Sequence, residues 1–195
     1  MLKVALTGPH GVGKTYITEK VAKALIEEGY TVKKMPSLTR KLKDMGYPIN
    51  NEKGWEIWMT QFVCGAYRDM VETKSFNQEG VDVLLADRWV LDEYIYTEYF
   101  FQKEKDPRLT QVATLLEHLA QERARRWDLL YTKMPHPKHL PEKDGHRDPD
   151  LLFQVEVTEA FKKYTPPSLG GKNLPLDRDD ASSVVLKDIL GKLRG

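Results

Sequence analysis

Short apolar runs alternate with longer amphipathic stretches along the chain. The apolar runs predict β-strands, of which the strongest cover residues 3–7 and 81–86 and the weaker ones cover residues 30–35, 128–134 and 172–176. Apolar side chains at helical spacing predict helices over residues 15–28, 51–74, 92–102, 109–126, 150–164 and 181–193. Because strands and helices alternate, we expect a three-layer α/β fold with a five-stranded parallel sheet between helices.

The spacing of apolar residues also predicts which helix faces are buried. In the helix 51–74 the predicted stripe is Trp55, Trp58, Phe62 and Ala66. In the helix 109–126 the predicted inward residues are Val112, Leu115, Leu116 and Leu119. The aromatic run of the helix 92–102 is expected to lie in the core: Tyr94, Tyr96, Tyr99, Phe100 and Phe101.

The composition is that of a globular protein. The 195 residues, 41% hydrophobic and 30% charged, suit a single domain over 1–195. The formal net charge of +1 gives no global basic field for nucleic acid, and the single cysteine, Cys64, excludes a disulfide framework. No apolar run reaches the roughly 18–20 residues of a membrane span. We therefore expect a soluble cytoplasmic protein without a membrane partner.

One motif carries specific chemistry. Residues 8–15 read G-P-H-G-V-G-K-T, which is the phosphate-loop pattern G-x-x-x-x-G-K-[ST] between a predicted strand and a predicted helix. Its backbone N–H groups and the following helix N-terminus bind phosphates. The predicted nucleotide-binding residues are Gly8, His10, Gly11, Val12, Gly13, Lys14, Thr15 and Tyr16. We expect ATP and Mg²⁺, with Lys14 on the β- and γ-phosphates and the Thr15 hydroxyl on the metal.

Two classes of phosphate-loop protein are disfavoured. A GTPase needs Asp in an Asn/Thr-Lys-x-Asp element after a late strand, and Pro135 stands there in Thr132-Lys133-Met134-Pro135. Nothing after the third strand supplies an Asp-x-x-Gly switch. A motor or AAA-type machine would need a longer chain.

The third predicted strand ends in Asp87-Arg88. Ligands of open α/β sheets bind at the carboxyl ends of the strands, so Asp87 should lie beside the phosphate loop. There Asp87 could hold the metal or take a proton from an attacking hydroxyl, and Arg88 could meet an anionic acceptor. The alternative is a surface salt bridge at a strand end.

A loop without periodicity follows the fourth predicted strand. Residues 135–148 contain three prolines, three histidines and a glycine, and long irregular connections in compact domains are commonly functional. We expect a lid that closes over the nucleotide and delivers Arg147 to the transferring phosphoryl group. A solvated charge cluster is the alternative. A zinc site at His136, His139 and His146 is disfavoured, because no carboxylate or cysteine completes the ligand set.

The chain resembles the P-loop nucleoside/nucleotide kinase superfamily, and within it the small ATP-binding group that includes the ribosylnicotinamide kinase domain of NadR-type proteins. The resemblance covers residues 1 to about 165. Three stretches carry it: the phosphate loop, the segment 84–92 and the stretch from Asp128 to Asp148. It implies ATP-dependent phosphoryl transfer to a nucleoside or nucleotide, with Asp87 near metal or acceptor, Arg88 as an acceptor contact and Arg147 as the lid arginine.

One departure concerns the general base. Many relatives place a carboxylate just after the second strand, whereas Met35 to Arg40 contains none. The base role then falls to Asp87, or no base is needed because the acceptor is already a phosphate. Arg40 and Arg88 would suit such an acceptor, which favours a nucleoside monophosphate.

In the kinases that the chain resembles, the helix corresponding to 51–74 borders the acceptor pocket, and the resemblance implies the same here. There Trp58 could stack on a base and the Gln61 amide could read its edge, although ordinary core packing would explain both. Two other functions stay open: a polynucleotide 5′-kinase or repair factor, and a regulatory module that binds ATP without transfer. A homodimer is also left open.

Overall fold

The protein is described here by a computed structural model, which covers residues 1–35, 45–46, 56–136 and 151–195, without the side chain of Leu151. A five-stranded parallel sheet has the order β2-β3-β1-β4-β5. Its strands are β1 (Leu2–Thr7), β2 (Val32–Lys34), β3 (Val83–Asp87), β4 (Leu129–Thr132) and β5 (Lys172–Asn173). The predicted α/β fold is confirmed. β1 begins one residue before its predicted run, β3 is shifted towards its carboxyl end, and the other three strands are shorter than predicted.

The helices follow the predicted order. They are α1 (Lys14–Glu27), α2 (Ile57–Phe76), α3 (Val90–Glu104), α4 (Pro107–Ala124), α5 (Leu151–Tyr164), α6 (Pro167–Gly170) and α7 (Arg178–Arg194). The short helix α6 was not predicted, because its single turn is too short to show apolar periodicity. Pro167 at its first turn suits a helix start.

Each face of the sheet has its own core. On one face, α1 and α7 pack aliphatic side chains on the strands, with Ile17, Leu25, Val185 and Ile189 almost completely buried. On the other face, α2 to α5 bury a larger core rich in aromatic residues, including Trp89, Phe100, Trp127 and Phe161. The carboxyl ends of the strands therefore lie between the two layers of helices.

The register of the central strands fixes the site. β1 lies between β3 and β4, with Leu6 opposite Asp87 and Thr7 opposite Thr132. The residues that follow β1 therefore emerge beside the ends of both neighbouring strands. This is where the phosphate loop begins.

The predicted inward positions are wrong at Phe62 and Ala66 of α2 and at Leu115 of α4. Phe62 is 43% exposed and Ala66 is exposed, because α2 packs its opposite side against α3 and α4. Leu115 is also 42% exposed, whereas Val112 and Leu116 are buried as predicted. Trp55 lies outside the described residues. Of the helices that are described, none combines the length and apolarity needed to cross a membrane.

Candidate active site

The phosphate loop packs tightly against its surroundings. Gly8 has φ 143°, and a Cβ there would lie 2.1 Å from the Lys133 carbonyl oxygen. Gly13 has φ 90°, and a Cβ there would lie 2.5 Å from Cδ of Arg178. Both positions thus require glycine for conformation and for space. Val12 between them is buried.

Lys14 lies inside the curl of the loop. Its side chain is 4% exposed, and Nζ donates to the carbonyl oxygens of Gly8 at 2.7 Å and Pro9 at 2.6 Å. A buried ammonium group needs such partners. Phosphate oxygens could take the same place, so the predicted position of Lys14 suits phosphate binding.

Thr15 and Asp87 meet, although they are far apart in sequence. The Thr15 hydroxyl donates a hydrogen bond to Oδ2 of Asp87. α1 provides the first residue and the end of β3 provides the second, and the β1–β3 register brings them together. A hydroxyl and a carboxylate are the oxygen donors that Mg²⁺ prefers, so this pair fits the predicted metal position. Within the described residues, no group of three or more His, Cys, Asp or Glu forms another candidate.

Arg88 occupies a strained turn between β3 and α3. Its φ is 89°, a region that costs a non-glycine residue about 1–3 kcal/mol. Its Nη1 donates to Oδ1 of Asp92 at 2.8 Å and to the Gly8 carbonyl oxygen at 3.4 Å, and the guanidinium lies over the Tyr96 ring. Burial opposes the charged form, but Tyr96, Asp92 and Asp87 outweigh it and raise the pKa of Arg88. Arg88 is therefore a fixed cation at the edge of the loop.

Asp92 organises this turn and was missed by sequence reasoning. It is fully buried, and Oδ2 accepts from the Thr7 hydroxyl at 2.8 Å and from the Trp89 amide at 3.5 Å. Asp92 thus ties the first turn of α3 to the end of β1 and to Arg88. The available signal was its place in the first turn of a predicted helix, where an acidic residue caps the N-terminus.

His10 and Tyr16 leave the loop in different directions. The His10 ring stacks on Phe153 of α5 at 5.0 Å, and its Nδ1 lies 3.2 Å from the Tyr96 hydroxyl. Tyr16 is 39% exposed and donates to Asp179 of α7 at 2.6 Å. His10 therefore faces the aromatic layer, whereas Tyr16 faces the start of α7.

The two predicted acceptor contacts on α2 have other partners. The Trp58 indole is half-buried and donates to Glu56, and the Arg108 guanidinium lies 5.0 Å from its ring centre. Gln61 is 4% exposed, and its Oε1 accepts from the Thr97 hydroxyl at 3.4 Å. Their predicted contact with a base stays a prediction.

Three further buried charged residues lie behind Arg88. Arg68 and Glu72 project from α2 and Glu93 from α3, and sequence reasoning assigned none of them a role. Burial raises the pKa of Glu72 to about 8, although Arg68 partly opposes this. Burial likewise raises the pKa of the Cys64 thiol.

Several predicted features lie outside the described residues. These are Arg40, Arg147 and the lid from residue 137 onwards. The proposed roles of Arg40 and Arg147 therefore stay predictions.

A comparison with protein families bears on the whole site. A family model described as an AAA domain matches residues 3–165, which include the phosphate loop, Asp87 and Arg88. No curated protein matches the chain. The family match corrects the exclusion of AAA-type proteins by chain length, because a chain of 195 residues accommodates the domain. It leaves the narrower resemblance to a ribosylnicotinamide kinase group as a prediction.

Proposed function

The chain belongs to the AAA domain family of phosphate-loop proteins, and on that premise we propose that it is an ATP-dependent phosphotransferase. The acceptor would be a nucleoside monophosphate or a nucleoside-like small molecule. The observation that carries this proposal is the cluster of Thr15, Asp87 and Arg88 at the mouth of the loop. An arginine fixed beside the phosphates, in addition to Lys14, suits a second anionic substrate.

Each residue has a distinct part in the proposed mechanism. Lys14 would exchange the Gly8 and Pro9 carbonyl oxygens for phosphate oxygens and stabilise charge that develops during transfer. Thr15 and Asp87 would hold Mg²⁺, which neutralises phosphate charge when bound. The loop glycines allow the backbone N–H groups to approach the phosphates without a side chain between them.

Arg88 would contact the acceptor. Its guanidinium has five donors in a planar fork, which matches phosphate oxygens in two-point contact. A phosphate acceptor is already nucleophilic, so no carboxylate need remove a proton. This agrees with the contact of Asp87 with Thr15, which suits a metal ligand better than a base.

Transfer of γ-labelled ATP to a panel of acceptors tests the proposal. Label on a nucleoside monophosphate or nucleoside would support it, and label on an oligonucleotide 5′ end would identify a polynucleotide kinase instead. ATP binding without label transfer would indicate the regulatory module. The near-neutral net charge argues against the oligonucleotide, because strand binding uses a basic groove.

A further inference from the structure

The helix α2 buries its polar side and exposes apolar residues. Its buried stripe includes Gln61, Arg68 and Glu72, which are 4%, 1% and 0% exposed. Its exposed large apolar residues are Met59, Phe62, Val63 and Met70. Charged residues are rarely buried unless they are paired, and burial disfavours them. The polar stripe therefore calls for an explanation beyond core packing.

Arg68 contacts the Arg88 corner, which we define as residues 87–90 between β3 and α3. Nη1 of Arg68 donates to the carbonyl oxygen of Arg88 at 3.5 Å. Nη2 of the same guanidinium pairs with Oε1 of Glu93 in α3 at 3.1 Å. The planar guanidinium of Arg68 thus links Arg88, whose φ is positive, to Glu93 of the helix α3 that follows it.

Glu72 lies one turn further along α2 and contacts the same corner. Its Oε1 accepts from the amide of Val90, the first residue of α3, at 2.8 Å. Residues four apart share a helix face, so Arg68 and Glu72 reach the two sides of the corner from one surface. The Arg88 carbonyl and the Val90 amide are both held from α2.

These contacts are not arranged for stability alone. Among the described residues, neither Nε of Arg68 nor Oε2 of Glu72 has a hydrogen-bond partner, although both atoms are buried. Buried polar groups that are incompletely paired, whether charged like Arg68 or protonated like Glu72, are poor stabilisers. Local compromises of this kind are expected where function, rather than packing, fixes the residues.

We propose that Arg68 is a positioning residue that, together with Glu72, holds the Arg88 corner in its left-handed conformation. The corner in turn keeps the Asp87 carboxylate on Thr15 and the Arg88 guanidinium beside the Gly8 carbonyl oxygen. Arg68 acts through the backbone and contacts neither of those groups. The link to transfer rests on the proposed phosphotransferase activity, whereas the link to metal-dependent nucleotide binding rests only on the proposed Mg²⁺ position at Thr15 and Asp87.

The test compares ATP affinity in Mg²⁺ with ATP affinity in EDTA, measured by calorimetry on the full chain. Arg68→Lys keeps the charge but replaces the planar fork with a single ammonium group that cannot serve both partners. We expect it to lower the Mg²⁺-dependent gain in affinity by about threefold or more, and to leave affinity in EDTA unchanged. Asp87→Asn, which removes the proposed metal ligand, gives the largest expected loss of the Mg²⁺-dependent gain and serves as the reference.

Arg123→Lys is the matched control. Arg123 also bridges helices, donating to Asp69 at 2.5 Å and to Thr73 at 2.8 Å, both on α2. Among the described residues, the Arg123 side chain is hydrogen-bonded to Asp69 and Thr73 and not to the Arg88 corner. Its replacement should lower stability without changing the Mg²⁺-dependent gain in ATP affinity. A merely structural Arg68 would behave in the same way as Arg123.

The double variant Arg68→Lys/Asp87→Asn adds a second criterion. If Arg68 acts through Asp87, the double variant should lose no more Mg²⁺ dependence than Asp87→Asn alone. Additive losses would overturn the proposal. So would a normal Mg²⁺ dependence in Arg68→Lys, or a wild-type protein whose ATP affinity does not respond to Mg²⁺.

Glu72 keeps the proposal testable if Arg68→Lys does not fold. Glu72→Gln retains an oxygen that accepts from Val90, whereas Glu72→Leu has none. Glu72→Gln should keep the Mg²⁺-dependent gain in ATP affinity, and Glu72→Leu should lose it. If both variants fold and show the same gain, the proposal is contradicted. Failure of label transfer to every acceptor, with these binding results intact, would refute the proposed function alone.

Discussion

The helices α1 and α7 cover one face of the sheet with aliphatic side chains, whereas α2 to α5 cover the other with aromatic and charged ones. On the first face the ion pairs are at the surface, as between Arg194 and Glu28. On the second face Arg68, Glu72 and Asp92 are almost completely buried. Exposed ion pairs contribute little to the free energy of unfolding. Buried charges lower it unless they are paired in good geometry. Apart from Lys14 and Thr15 at the start of α1, the aliphatic face thus serves the fold, whereas the charged face supports the site at the strand ends.

Lys14→Ala should have the largest effect on activity. Loss of a preorganised cation of this kind typically lowers turnover by about 10²–10³-fold. Turnover and thermal unfolding measured together would separate chemistry from folding. Lys20→Ala is the control on the same helix, because Lys20 is exposed and pairs with Asp179. Turnover of Lys14→Ala above a tenth of the wild-type value would contradict the assignment of the phosphate loop.

Ile189→Ala should have the largest effect on stability. Ile189 is fully buried in the aliphatic core, and such truncations lower the free energy of unfolding by about 2–5 kcal/mol. Turnover of the folded protein should stay unchanged, because Ile189 lies in α7 and is not one of the residues that form the proposed site. Ile26→Ala, at a position that is 57% exposed, is the matched control for denaturant unfolding. A large loss of turnover in folded Ile189→Ala would contradict the conclusion that the aliphatic core contributes to stability and not to catalysis.

Asp87→Asn and Arg88→Ala should affect different kinetic constants. Asp87→Asn should lower kcat, because its role is with the metal. Arg88→Ala should raise the acceptor KM about 10–100-fold, since a hydrogen bond to a charged group contributes about 1.5–3 kcal/mol. Steady-state kinetics with either substrate varied would distinguish the two. Unchanged kinetics in both variants would reduce the pair to a salt bridge at a strand end.

Glu72→Gln should change the pH dependence of stability. Burial raises the pKa of Glu72 from 4.5 to about 8, so the folded protein keeps a proton that the unfolded chain loses. The free energy of unfolding should therefore fall as pH rises between those values, by at most about 1.4 kcal/mol per pH unit from this group. Glutamine does not titrate. The free energy of unfolding of Glu72→Gln should therefore rise relative to that of the wild type as pH increases from 5 to 8. Parallel stability curves over this range would contradict the prediction.

Local signals in the sequence predict much of the fold. Apolar runs predict the strands, and the glycines, Lys14 and Thr15 identify the phosphate loop because their spacing is tied to phosphate geometry. The contact of Asp87 with Thr15 agrees with the expectation that Asp87, at the end of the third strand, lies beside the phosphate loop.

The charged layer could not be predicted in the same way. Periodicity places Phe62 inside and charged residues outside, whereas α2 exposes Phe62 and buries Arg68 and Glu72. Their burial depends on the Arg88 carbonyl and the Val90 amide, which belong to a corner far along the chain. Local sequence patterns do not indicate contacts between residues about 20 positions apart, so these contacts are visible only in the folded structure.

The partition of γ-label between acceptor and inorganic phosphate tests the central claim most directly. With a nucleoside monophosphate or nucleoside acceptor present, the wild type should place nearly all of the label on the acceptor. Arg88→Ala should divert label to inorganic phosphate, whereas Ile189→Ala should keep the wild-type partition. Label found only in inorganic phosphate for the wild type, whatever the acceptor, would contradict the account and identify an ATPase.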